Sequence, residues 1–131
     1  MLRKKSISMV AQRDVQLLIA DDDQGFRETV VGLLEPHFQT IAVESGERAI
    51  EVVESIPIDI ALLDMHMHLL TGLDTMRILR DLLGPLPCIL MSSAVTAELE
   101  DAAEDLHIFS VLRKPPTRQL LLDTIHGALQ L

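Results

Sequence analysis

Three consecutive acids (Asp21-Asp22-Asp23), a lone Asp64, a serine pair (Ser92-Ser93) and an Arg113-Lys114 pair each follow a short apolar run in this 131-residue chain. Carboxylates brought together repel one another and drive at least one pKa upward, and a hard divalent cation relieves that repulsion. Mg²⁺ suits such a site, because it takes an octahedron of oxygens that one or two carboxylates, waters and a phosphoryl group can complete. A carboxylate beside that metal can attack phosphorus and become an aspartyl phosphate. Charge on the transferring group is then met by the metal, a lysine and a hydroxyl donor. Asp64, Lys114 and Ser93 supply the chemistry required.

These groups lie tens of residues apart, so only a fold that gathers strand ends can join them. An open parallel sheet does this, since its functional crevice lies beyond the carboxyl ends of the strands. The apolar periodicity predicts that sheet. Residues 15–20 form a first strand, and a helix runs from about Gln24 to near Pro36. A weaker strand over 39–43 precedes a helix opened by Ser45-Gly46-Glu47 and ended by Pro57. Residues 58–63 form a third strand that delivers Asp64, followed by a helix from about Gly72 to Leu83. Strand four covers 88–91, a helix spans about 96–106, strand five covers 108–112, and a last helix carries Leu120, Leu121, Ile125 and Leu129. Five βα units with near-continuous apolar strands imply an α/β fold, with helices on both faces of a parallel sheet.

With its elements in place, the chain resembles the receiver domain of bacterial two-component response regulators over about residues 15–130. The resemblance rests on Leu17-Leu18-Ile19-Ala20-Asp21-Asp22, on Asp64 with Met67 and Gly72 after it, on Leu90-Met91-Ser92-Ser93-Ala94, and on Lys114-Pro115. It implies a flavodoxin-like (βα)5 three-layer sandwich with strand order 2-1-3-4-5. Asp64 would be the phosphoacceptor, Asp22 a direct Mg²⁺ ligand, Asp21 an acid acting on the metal partly through water, and the His66 carbonyl a further ligand. Ser93 would hold the phosphoryl group by its hydroxyl, Lys114 would pair with a phosphoryl oxygen, and the Lys114-Pro115 bond would be cis. The donor would be a phosphohistidine on a sensor histidine kinase or phosphotransfer protein, in the cytoplasm.

Three positions depart from the family pattern. Val111 falls where a switch aromatic is usual, His68 where a proline commonly follows the Met, and Leu106-His107-Ile108-Phe109 replaces the common Gly-Ala before strand five. Valine lacks the reach to swing a ring, so ligand-induced movement is expected over residues 93–100, with little at Val111.

Composition narrows the alternatives. A net charge of −9 with no Trp and no Tyr argues against direct nucleic-acid binding, which needs clustered Lys and Arg or stacking rings. The exposed acids Glu98, Glu100, Asp101, Glu104 and Asp105 would repel nucleic acid and suit a basic protein partner. No export signal or membrane span is read. Residues 1–14 hold Arg3, Lys4, Lys5 and Arg13 and read as a mobile basic leader, leaving 15–131 as one domain. The single Cys88 excludes a disulfide framework and reads as a small core residue. Asp64-x-His66-x-His68 could bind a transition metal if extended. The rival functions are a metal-dependent phosphohydrolase of the haloacid dehalogenase type, whose nucleophile would be Asp21 with Asp23 two residues on, and a degenerate receiver that binds partners without phosphorylation.

Overall fold

The computed structural model describes residues 12–130. Most of the expected basic leader lies outside them, while Gln12–Asp14 form a 3-10 turn whose Gln12 side chain meets His126 Nε2 at 3.0 Å. Five strands follow: β1 (Gln16–Ala20), β2 (Gln39–Val43), β3 (Ile60–Asp64), β4 (Cys88–Ser92) and β5 (Ser110–Arg113). They alternate with α1 (Gln24–Leu34), α2 (Gly46–Ser55), α3 (Gly72–Leu83), α4 (Ala97–Asp105) and α5 (Arg118–Leu129). All pairs are parallel, in the order β2-β1-β3-β4-β5. This is the flavodoxin-like order that the resemblance implied.

Alternation along the strands divides the core in two. Leu17, Ile19, Ile60, Leu62, Ile89, Met91 and Leu112 face Val30 and Leu34 of α1 and Leu121 and Ile125 of α5. Leu18, Ala20, Ala61, Leu63, Cys88 and Leu90 face Ala49 and Val53 of α2, Met76 and Leu79 of α3, and Leu99 of α4. Every residue of β3 and β4 is buried, whereas the outer strands β2 and β5 are half exposed. Cys88 is fully buried as expected, and burial pushes its thiol up to about 12 against a smaller pull from Arg80.

Each helix starts at a side-chain cap: Asp23, Ser45, Thr71, Thr96 and Thr117 accept a first-turn N–H that would otherwise go unpaired. Several strand ends differ from expectation by one residue, and two strands, β3 and β5, begin two residues later than expected. β3 begins at Ile60, because Asp59 turns its carboxylate onto the Gln16 N–H at 2.9 Å instead of entering the strand. β5 begins at Ser110, because His107 and Ile108 close α4. His107 takes a φ of 55° and donates to the Glu104 carbonyl, and Ile108 donates to that of Ala103. This is the Schellman pattern, here with histidine where glycine is usual.

Candidate functional site

The two-sided core continues past the strand ends and decides which side chains meet. Asp21, Asp64, Ser93 and Lys114 each follow by two residues a member of the α1/α5 core, namely Ile19, Leu62, Met91 and Leu112. Pairing carries on there: Asp21 N–H donates to the Val43 carbonyl, Met65 N–H to Met91 and Lys114 N–H to Ser92. Asp64 and Met91 are in register, so Ser93 falls one step beyond the acid on the same side. Ser92 has the opposite parity and is buried, with its hydroxyl bonded to the backbone of Ala94. Ser93 itself is exposed.

At the centre, Lys114 Nζ lies 2.7 Å from Asp21 Oδ2 and 3.1 Å from Asp64 Oδ1. The Lys114-Pro115 bond that leads the chain away is cis. Asp21 is fully buried, and its Oδ1 accepts the Asp23 N–H at 2.9 Å. Asp64 is nearly so, and its Oδ1 also accepts the His66 N–H at 3.3 Å. Gly72 makes room behind it: a Cβ there would stand 2.6 Å from the Asp64 carbonyl oxygen. Burial, and then the Asp21 charge, raise the pKa of Asp64, outweighing Lys114 and the His66 amide. The Lys114 pKa is raised as well, since burial lowers it but hydrogen bonds and charge from Asp21 and Asp64 more than compensate.

Asp21, Asp22 and Asp64 offer carboxylate oxygens within 4.8 Å of one another. Asp22 is exposed while the other two are buried, so the cluster opens to solvent through it. Three carboxylates against one ammonium leave two negative charges when all are ionised, which a divalent cation neutralises. An all-oxygen donor set fits a hard ion such as Mg²⁺. Among the described residues, His66 and His68 are exposed and join no three-ligand cluster, so the Asp64-x-His66-x-His68 alternative finds no support. A nucleophilic Asp21 fits poorly as well, because both its oxygens are engaged in a fully buried position.

Asp23 is the cap of α1, accepting the Phe26 N–H at 3.1 Å, so the acidic triplet divides between chemistry and architecture. Two neighbours went unnoticed in the sequence. Arg27 donates to the Asp21 carbonyl at 2.6 Å, and the Phe26 ring lies under Lys114 Nζ. The helix start expected at about Gln24 was the available signal, since it places residues 24–27 in a first turn beside the strand ends. On the far side, Val111 is half-buried against the α2–α4 core. Among the described residues no helix is long and apolar enough to cross a membrane.

The model of the response regulator receiver domain matches residues 17–126. The sensory/regulatory protein RpfC of Xanthomonas campestris pv. campestris is 29% identical over 118 residues, covering 86% of this chain and 16% of that protein. The transcriptional regulatory protein DegU of Brevibacillus brevis is 40% identical over 71 residues, 52% of this chain and 30% of that protein. The chain thus spans less than a third of either relative. A CheY-like receiver domain protein from Methanospirillum hungatei JF-1 superposes with a TM-score of 0.84 at 18% identity, covering 89% of this chain and 94% of that one. The signal receiver domain of a modulated diguanylate cyclase from Desulfovibrio desulfuricans G20 gives 0.80 at 27% identity, with 89% and 95% covered. The family match takes in all four strand-end clusters at which the acids, serines and lysine converge, and the chain belongs to the response regulator receiver domains of two-component systems.

Proposed function

We propose that Asp64 is the phosphoacceptor of this receiver, taking a phosphoryl group from a phosphohistidine on a sensor histidine kinase or phosphotransfer protein. The observation that carries this is the placement of a buried carboxylate at the end of the central strand, 3.1 Å from a lysine ammonium and within metal-sharing distance of two further acids. In the transfer an Asp64 oxygen forms the new bond to phosphorus, the donor's P–N bond breaks, and its electron pair stays on the imidazole. Lys114, already held between Asp21 and Asp64, meets a phosphoryl oxygen, and the Ser93 hydroxyl meets another. Asp21, Asp22, Asp64 and the His66 carbonyl would hold Mg²⁺, which when bound neutralises charge on the phosphoryl oxygens. Asp21, whose Oδ2 is paired with Lys114, would act on the metal partly through water, as the family resemblance implies.

The chain then acts through protein contacts and not by turning over a substrate. The cleft between the loop after β3 and α4 has none of Asp21, Asp64 and Lys114 in its wall, in keeping with a module that signals by surface change. Acetyl phosphate with Mg²⁺ is expected to add one phosphate per chain, detected by intact mass and mapped to Asp64, and Asp64→Asn should add none. A phosphate gained by the Asn variant would overturn the assignment. Steady turnover of a generic phosphate ester would favour the phosphohydrolase instead.

A further inference from the structure

An ammonium has three N–H donors, and the two carboxylates take only two sides of Lys114. The third side meets an aromatic face: Nζ stands 4.3 Å from the centroid of the Phe26 ring. A cation within about 6 Å of a ring centroid is attracted by the ring quadrupole, and more strongly when desolvated. The Lys114 side chain is only 16% exposed. We propose that Phe26 is a positioning residue for phosphoryl transfer, holding the Lys114 ammonium between Asp21 and Asp64 through the face of its ring. The inference rests on the role given above to Lys114.

The helical turn that carries the ring is itself fixed by the acids the ring serves. Asp21 Oδ1 accepts the Asp23 N–H, Asp23 Oδ1 accepts the Phe26 N–H, the Phe26 ring meets Lys114, and Lys114 returns to Asp21 Oδ2. This closed circuit ties the first turn of α1 to the far end of β5. Phe26 is one of three aromatic residues in the sequence. A ring has a particular advantage here over another carboxylate. It draws the ammonium without a formal charge, so it does not repel an incoming phosphoryl group. A leucine would leave an apolar wall with no such pull, and the flexible four-carbon lysine stem would be positioned by the two carboxylates alone.

Packing alone could also place Phe26 here, because it lies against the α1/α5 core. The two roles separate in a double-mutant cycle on the full chain, read as the initial rate of phosphorylation by acetyl phosphate at saturating Mg²⁺. Phe26→Leu should slow the reaction about fourfold, and Phe26→Tyr should stay within about twofold of the unsubstituted protein. In a Lys114→Ala background Phe26→Leu should change nothing further. An equal loss in both backgrounds, or no recovery with tyrosine, would overturn the proposal in favour of packing. A Lys114→Ala protein that phosphorylates at the normal rate would bring down the reading of Lys114 and this inference with it, a result recognisable without any Phe26 variant. The Lys114 Cε methylene protons give a separate check in the unsubstituted protein. They should show an upfield ring-current shift, and its absence would overturn the contact itself.

Discussion

On one side of the strand-end rim, Asp21 and Asp64 are buried and Lys114 bridges them at 2.7 and 3.1 Å. On the other side Ser93, Ala94, Thr96 and His66 stand exposed, the last three lining a cleft of about 370 Å³ between the loop after β3 and α4. The contrast extends to the backbone, where Leu69 in the loop after Asp64 is 76% exposed with a φ of 70°. Charge is thus preorganised where it must be strong, in a desolvated setting, before any ligand arrives. The side where movement is expected is left exposed, so a ligand's differential affinity would shift its population there.

The sharpest test of the bonded side separates neighbouring acids. Asp22→Ala should weaken Mg²⁺ binding roughly tenfold or more, while Asp23→Ala should mainly loosen α1, because only Asp22 joins the cluster. Calorimetric titration with Mg²⁺ measures this, and equal losses would mean the triplet is assigned one residue out. Across the rim, the serines should divide in the same way. Ser93→Ala is expected to slow phosphorylation by about tenfold, the cost of a hydrogen bond to a charged group, whereas Ser92→Ala should keep the rate and lose roughly 1 kcal/mol of stability with its Ala94 bonds. The reverse result would break the parity argument.

A third expectation concerns movement. Beryllofluoride should shift backbone amides mainly over residues 93–100, with little change at Val111, since valine has no ring to move between buried and exposed positions. Changes around Val111 and α5 as large as those around Ser93 would show that both sides respond.

The smallest effect follows from the raised pKa of Asp64. A carboxyl that holds its proton more tightly when folded contributes stability fully present below its ordinary value of 3.8 and lost as pH rises through the folded value. At neutral pH without Mg²⁺, ionised Asp64 therefore strains the fold, and Asp64→Asn should raise the melting temperature by roughly 2–4 °C. The gain should fade as pH drops below the ordinary carboxylate range. An Asn variant that melts lower at pH 7 would show that Lys114 outweighs burial and the Asp21 charge.

The two buried central strands were legible in the sequence as near-continuous apolar runs, and the convergence of Asp21, Asp64 and Lys114 followed from placing them at the carboxyl ends of a parallel sheet, whereas the strand order came with the family resemblance. The choice of Ser93 over Ser92 also came with the resemblance, and the structure supplies its reason in the parity of β4. Less legible was the start of β5. Ile108 is apolar and β-branched, which reads as strand, and no glycine marks the left-handed position that His107 occupies. The start of β3 was hidden for a related reason, since Asp59 answers a backbone N–H with a side chain. The place of Phe26 beside the lysine was not legible, because cation–π pairing here joins residues far apart in the chain.

The histidine closure of α4 also governs how that helix can respond. Arg80 Nη2 of α3 donates to the His107 carbonyl at 2.8 Å, and the Glu104 and Ala103 carbonyls are tied down by His107 and Ile108. The front end, at Thr96, carries its own cap and packs Leu99 into the core, and among the described residues no hydrogen bond joins it to another element. A nine-residue helix is about 13 Å long. Hydrogen-bonded to a neighbouring helix at its rear end, it would pivot about His107 if a ligand drew its front end. A displacement of about 2 Å at the front end of a rod of that length is a tilt of about 9°. The exposed carboxylates of α4 would sweep through it in proportion to their distance from the pivot, Glu98 farthest and Asp105 least.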